Sequence, residues 1–348
     1  MDWKCKSSDS EGYKESKITH SEFLFNRIQH HCDISTLQSS SSPTNTAMST
    51  ATVQTVKTQF VTAKDGSKLA YRLLGPSTGV PLLFLQHFRG TIDHWDPRLI
   101  HLFTAKRPVI LFDNAGIGHS NGNVDNNIPA MAAHVIEFLS LINVKHVDIL
   151  GFSLGGVIAP LVELNGPKGL VRKLILAGTS PTAGKDVTPS MNDEFVMQNA
   201  GVSVPTVQNF LNLFFKPSET SQVAGKAWWN RIHERTKETS GEDRVGYVSE
   251  GMTDGGAGIT ALVESFTKAG DIANAKEGSY DRLGDIKAPT LVANGYEDIM
   301  VPTINSKEDL LLVFMPLDLK YVYSSVLHLP STLPRTALLF RFADLPIF

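Results

Sequence analysis

A mostly parallel α/β sheet carrying an inserted helical region is the fold class the sequence predicts, and three observations predict it. The apolar runs Leu82–Leu85, Val109–Phe112, 147–150 and 174–177 read as short strands buried on both faces, the pattern of a parallel sheet covered by helices. Between the second and third of these, Ile128, Met131, Ala132, Val135, Ile136, Leu139 and Ile142 recur at three and four residues, one apolar face of a helix returning to the sheet. After Thr179 the strand rhythm stops for roughly 100 residues, and helical periodicity takes over in 204–215, 223–237 and 259–273. Strand rhythm resumes at 290–294 and 320–323. The expected organisation is therefore a βαβ core in 48–182 and 281–348, with a helical cap inserted over 183–280.

Residues 1–47 show no sustained periodicity and carry a Ser/Thr/Pro/Asn-rich tract over 35–46, so the expectation there is a disordered extension. Asp2, Asp9, Glu11, Glu15, Glu22 and Asp33, with no apolar central run, fit neither a secretory leader nor an acid-poor transit peptide. The C-terminus carries no peroxisomal tripeptide, and an intracellular location is expected. The longest uncharged apolar stretch, 149–162, falls short of the roughly 20 residues a bilayer crossing needs. With 348 residues, 42% hydrophobic and a net charge of -3, the chain can bury a large core and has no basic excess for nucleic acid. Its expected partner is a small-molecule substrate, and the sequence does not indicate an oligomeric state. Cys5 and Cys32 lie in the extension, leaving the rest without a disulfide or a thiol nucleophile. His30, His31 and Cys32 lack the four-ligand spacing of a metal site, and neither metal nor cofactor is expected.

Two stretches have glycine-x-serine-x-glycine spacing. Gly151-Phe152-Ser153-Leu154-Gly155 follows a buried strand and leads into the small-residue run Gly155-Gly156-Val157-Ile158-Ala159, which suits a helix packed tightly on a sheet. Gly118-His119-Ser120-Asn121-Gly122 follows a polar loop and leads into Asp125-Asn126-Asn127, so its context rejects it. A serine hydroxyl attacks only when a histidine takes its proton and a carboxylate orients that histidine. In this architecture the order is serine, acid, histidine, and of 11 histidines only His328 lies beyond residue 233. Glu297 and Asp298 stand at the end of the strand 290–294, and Asp298 is preferred as the acid. The oxyanion donors are expected to be the N–H of Leu154 and that of Phe88, in the loop Gln86-His87-Phe88-Arg89-Gly90. His87 and His94 read as loop-shaping or pocket residues, and His87, Trp95, Phe214 and Trp228 are the expected pocket lining. Phe210, Phe215 and Trp229 either join that lining or pack the cap onto the core.

The loop 86–97, the elbow at Ser153 and the stretch Asn294-Gly295 through Asp298-Ile299-Met300-Val301-Pro302 together resemble the α/β-hydrolase fold superfamily. Within it, they resemble a group of bacterial and fungal serine hydrolases with a helical cap. The resemblance implies Ser153 as nucleophile and Asp298 as acid, and points to secondary metabolism. Members commonly place the histidine in Tyr-Pro-Asp-x-Gly-His-Gly, whereas this chain has Tyr323-Ser324-Ser325-Val326-Leu327-His328-Leu329, with the spacing kept and both glycines lost. Pro330 and Pro334 interrupt the final helix expected from the family.

The reading that follows is a cofactor-free serine hydrolase cleaving an ester, lactone or thioester of a small apolar acid through an acyl-enzyme. A serine in the elbow argues against epoxide or haloalkane hydrolysis. Carbon–carbon hydrolysis and perhydrolysis use the same triad and are not separated from esterase activity by the sequence. The alternative is a non-catalytic binding protein, or an impaired homologue whose altered C-terminus keeps the pocket without a competent base.

Overall fold

In the computed structural model, residues 51–188, 194–295 and 298–306 are described, together with the backbone of 322–323 and 338–342. Burial on both faces makes the central strands. Every residue of β3 (Leu82–Leu85), β4 (Val109–Phe112) and β5 (Val147–Phe152) is buried. With β1 (Gln59–Thr62), β2 (Lys68–Leu74), β6 (Val171–Ala177), β7 (Thr290–Gly295), β8 (Val322–Tyr323) and β9 (Leu338–Phe342) they form a sheet ordered β1-β2-β4-β3-β5-β6-β7-β9-β8. β2 runs antiparallel to both β1 and β4, and all other pairs are parallel. The strand order reverses at β3 and β5, where Leu85 pairs with Gly151. The loops leaving these two strands therefore emerge side by side, at the switch point where open α/β sheets form their ligand crevice.

Helices α1 (Pro97–Thr104), α2 (Ile128–Leu141) and α3 (Leu154–Asn165) alternate with the strands. Proline at the first or second position and a side-chain cap start α1 and α2: Asp96 accepts from Arg98 N, and Asn127 from Ala130 N. The apolar face of α2 buries Ile128, Met131, Ala132, Val135 and Leu139 as expected, and adds Phe138, which stacks on Phe112 at 4.2 Å. Each of these side chains larger than alanine contributes about 1.5–3 kcal/mol on full burial. Ile136 and Ile142 are only partly buried, because they lie at the rim of that face.

Between β6 and β7 the described chain is helical: α4 (Glu194–Ala200), α5 (Val207–Phe214), α6 (Glu219–Ile232), α7 (Lys237–Ser240) and α8 (Ala257–Ala269). Capping chemistry moves the boundaries that periodicity suggests. Thr206 and Asn209 close a reciprocal box that starts α5 after Pro205, and Ser218 caps α6 five residues before Val223. The stretch 223–237 is split at His233, and Thr236 opens α7 anew. Salt bridges and buried hydrogen bonds tie this insert to the core. Asp96 holds Arg231 through both carboxylate oxygens, and Asp93 accepts from Val245 N at 2.9 Å. Asp93 is itself buried between Arg72 at 2.7 Å and His119 at 2.7 Å, and against the upward push of that burial His119 and Arg72 together hold its carboxyl far below the usual range.

Past residue 306 the strand expected over 320–323 is present as Val322–Tyr323. It does not pair with β7. β9 lies between them, formed by a stretch that the sequence reading assigned to no strand and that follows the two prolines. No helix among the described residues is long and apolar enough to cross a membrane.

Candidate active site

Ser153 sits on the turn from β5 into α3 with φ 51° and ψ -114°, a backbone conformation that L residues rarely adopt. The turn is this tight because its glycines have neighbours where a side chain would be. A Cβ on Gly151 would run into the Gly155 carbonyl, and one on Gly155 into the Leu85 carbonyl. The Ser153 N–H donates to Ala177 O of β6, and its carbonyl accepts from Thr179 Oγ1 at 2.8 Å, which pins the strained residue to the neighbouring strand. Ser120, in the second glycine-flanked stretch, is committed to structure. Its hydroxyl accepts from Ala70 N at 2.8 Å and donates to Asp113 O at 2.7 Å.

The loop after β3 is shaped by side chains. Gln86 Oε1 accepts from His87 N, and Thr91 and His94 form a capping box over a single 3-10 turn, 92–94. Arg89 has φ 62°, and its guanidinium donates to the carbonyls of Val248, Ala200, Val202 and Ser203 in the insert. Those four bonds hold the loop in a conformation that propensity disfavours. Among the described residues, neither Phe88 N–H nor Leu154 N–H donates to a protein acceptor. Leu154 is the first residue of α3, so its N–H also lies at the positive end of that helix.

Ser153 opens into a narrow cavity of about 40 Å³ walled by His87, Phe88, Phe210, Phe214, Tyr247 and Met300. Room for one water on this measure is about 10–15 Å³, so the cavity fits a group of a few heavy atoms. Of the expected pocket residues, His87 and Phe214 line it. Trp95 and Trp228 do not. They line a smaller cavity behind His87, together with His94, Phe152 and Phe215. Trp229 packs on Phe210 and His233. Burial holds the His87 imidazole down at about 4.

Asp298 lies in the turn after β7, where its Oδ1 accepts from Met300 N and Val301 N, both at 2.9 Å. Burial raises its carboxyl above the usual value, and these two bonds oppose the rise. Met300, two residues on, reaches the cavity wall and thereby brings this turn beside the elbow. Glu297 and His328 lie outside the described residues. The sequence reading missed Tyr247 and the anchoring role of Arg89. Neither carries a local signal, since each acts through contacts with a segment more than 100 residues distant or across the insert. No group of three His, Cys, Asp or Glu among the described residues is placed to hold a metal ion.

Comparison with known proteins agrees with the fold. Residues 80–311 match the family model described as the alpha/beta hydrolase fold. The chain is 28% identical over 286 residues to a non-heme haloperoxidase of Rhodococcus erythropolis, covering 77% of this chain and 92% of that protein. Among solved structures it resembles an alpha/beta hydrolase fold protein from Chitinophaga pinensis, with TM-score 0.66 and 27% identity over 84% of this chain and 91% of that one. It also shares the fold of the esterase RhEst1 from Rhodococcus sp. ECU1013, with TM-score 0.54 and 18% identity over 82% and 91% of the two chains. With the family model matched across its central residues, this chain belongs to the alpha/beta hydrolase fold family.

Proposed function

We propose that the protein is a cofactor-free serine hydrolase that cleaves an ester, lactone or thioester of a small, fairly apolar acid. The observation that carries the reading is the strained Ser153 at the head of α3, facing a cavity with aromatic walls beside two uncommitted backbone N–H groups. In this reading Ser153 Oγ attacks the carbonyl carbon while its proton passes to His328. The charge that develops on the carbonyl oxygen is held by Phe88 N–H and Leu154 N–H. His328 returns the proton to the leaving alcohol or thiol, and an acyl-enzyme remains. Water activated by the same imidazole then releases the acid. Asp298 orients the imidazole. Its Oδ1 is fixed by two N–H bonds, which leaves Oδ2 to accept from the ring.

The size of the cavity supports a short acyl group, and its phenylalanine walls support an apolar one. The test is labelling with a fluorophosphonate probe followed by mass spectrometry. Modification at Ser153, absent from Ser153→Ala, is expected. Resistance of the unmodified, folded protein to the probe would replace this reading with that of a binding protein that lacks a competent base.

A further inference from the structure

The tautomer of His87 is decided by a neighbour. Its Nδ1 lies 2.7 Å from Phe88 O, and a carbonyl only accepts, so Nδ1 carries the proton. Burial lowers the imidazole to about 4, so the ring is neutral at pH 7 and Nε2 presents a lone pair. Phe152, Phe210 and Phe214 surround the ring at centroid distances of 5.5, 6.2 and 5.7 Å and offer that lone pair no strong donor. Among the described residues Nε2 has no hydrogen-bond partner, although His87 lines the cavity that contains Ser153.

Other polar side chains on that wall are already committed. Arg89 is bonded to four carbonyls. Asn199 donates to Phe195 O and accepts from Asn209 and Asn212, and Asn209 Oδ1 accepts from Thr206. Tyr247 is different. Its hydroxyl is buried with no partner among the described residues, and desolvation raises its phenol so that it stays protonated, a donor as well as an acceptor. Its ring is fixed by stacking on His94 at 3.7 Å and on Phe210 at 4.9 Å. Beside the nucleophile, an otherwise aromatic wall thus keeps one unused acceptor and one unused donor. Leaving a buried polar group such as the Tyr247 hydroxyl unpaired costs about 1–3 kcal/mol, a cost that a correctly placed ligand group removes.

We infer that His87 Nε2 and the Tyr247 hydroxyl select a short acyl group that carries its own hydroxyl, which donates to His87 and accepts from Tyr247. This rests on the serine-hydrolase reading and names the substrate class of that site: esters of small hydroxy acids rather than of plain alkanoic acids.

The test compares ethyl 3-hydroxybutanoate and 2-hydroxybutanoate with ethyl butanoate and ethyl 3-methoxybutanoate, following acid release. At least one hydroxy ester is expected to have kcat/KM about tenfold or more above butanoate, as a buried hydrogen bond of this kind supplies. The methoxy ester, which cannot donate, is expected to lose that advantage. His87→Leu brings the hydroxyl-to-plain ratio near one, His87→Gln keeps part of it through its amide oxygen, and Tyr247→Phe reduces it by a smaller factor. Circular dichroism and melting temperature confirm folding of each variant. Equal kcat/KM for hydroxy and plain esters in the unmodified protein, or a ratio unmoved by His87→Leu, overturns the inference and leaves the hydrolase reading intact. Loss of fluorophosphonate labelling in folded His87→Gln also overturns it, by making His87 the proton acceptor of Ser153. Binding is read separately by calorimetry on Ser153→Ala. Tighter binding of a hydroxy ester there, with no turnover by the unmodified protein, upholds the selectivity and removes the hydrolase reading. Equal binding overturns the selectivity.

Discussion

Ser153 and Ser120 stand in the same glycine-x-serine-x-glycine frame, yet one is placed at the mouth of a cavity and the other is built into the sheet. At 151–155 the glycines bring a helix start against the end of β3 and hold the serine at φ 51°. At 118–122 they fold a loop back on itself, and the serine hydroxyl bridges β2 to the end of β4. The neighbours complete the contrast. His119 is drawn to Asp93, and the carboxylate of Asp113 accepts from Ile92 N and His119 N, so this second loop shapes the one that carries Phe88. A motif acquires chemistry from the strand that precedes it and the helix that follows it.

The largest test of this contrast is Ser153→Ala, expected to lower ester turnover on the order of 10⁴-fold or more with the melting temperature almost unchanged. Comparable loss in Ser120→Ala, measured per folded molecule, would erase the distinction. Gly155→Ala comes next. Its Cβ has nowhere to go against the backbone of Leu85, and a loss of about 3 kcal/mol by denaturant unfolding is expected, with activity falling as the elbow is displaced. Ser120→Ala is expected to strip a buried bridge and destabilise by about 1–3 kcal/mol, while kcat/KM of the folded protein is retained. Unchanged stability would show that water replaces the hydroxyl.

Asp113 sharpens the comparison by pH. Burial pushes its carboxyl up to about 7, against 3.8 for the unfolded chain, with Asp93 reinforcing and His119 opposing the rise. Between those values the folded protein holds a proton that the unfolded chain releases. The contribution of Asp113 to stability is therefore full below pH 3.8, declines as pH rises toward 7 and is level above it. Asp113→Asn does not titrate, so its melting temperature is expected to gain on the unmodified protein from pH 4 to 7 and to track it thereafter. A constant gap would mean that Asp113 is ionised throughout. The smallest change in stability belongs to Ser153→Gly, expected to gain about 1 kcal/mol through release of the positive φ, while its activity is lost as in Ser153→Ala.

Much of the fold was legible in the chain. Buried strands declare themselves because both faces must be apolar, and α2 does so because one face must be. Asp298 could be expected in a turn beyond β7, since an acid after a strand end and before Val301-Pro302 has few other places to be. The helix boundaries of the insert were less legible, because Thr206, Ser218 and Thr236 decide them through single hydrogen bonds that hydrophobic periodicity does not register. The position of β9 between β7 and β8 was not legible at all, because strand order depends on pairing between distant segments.

By itself the sequence determined which residues are hidden, where the sheet is interrupted by helices, and which of two serines follows a buried strand, all through local pattern and the need to remove apolar surface from water. Tertiary structure alone decided what those residues face. Arg89 is an ordinary charged residue in the chain. It becomes the anchor of the Phe88 loop only because the insert brings four carbonyls to it. His87 has a free lone pair only because its own loop takes the other nitrogen and three phenylalanines, one from β5 and two from α5, close around it. Hydrogen-bond partners and desolvation are properties of assembled neighbours, and no window of sequence contains them.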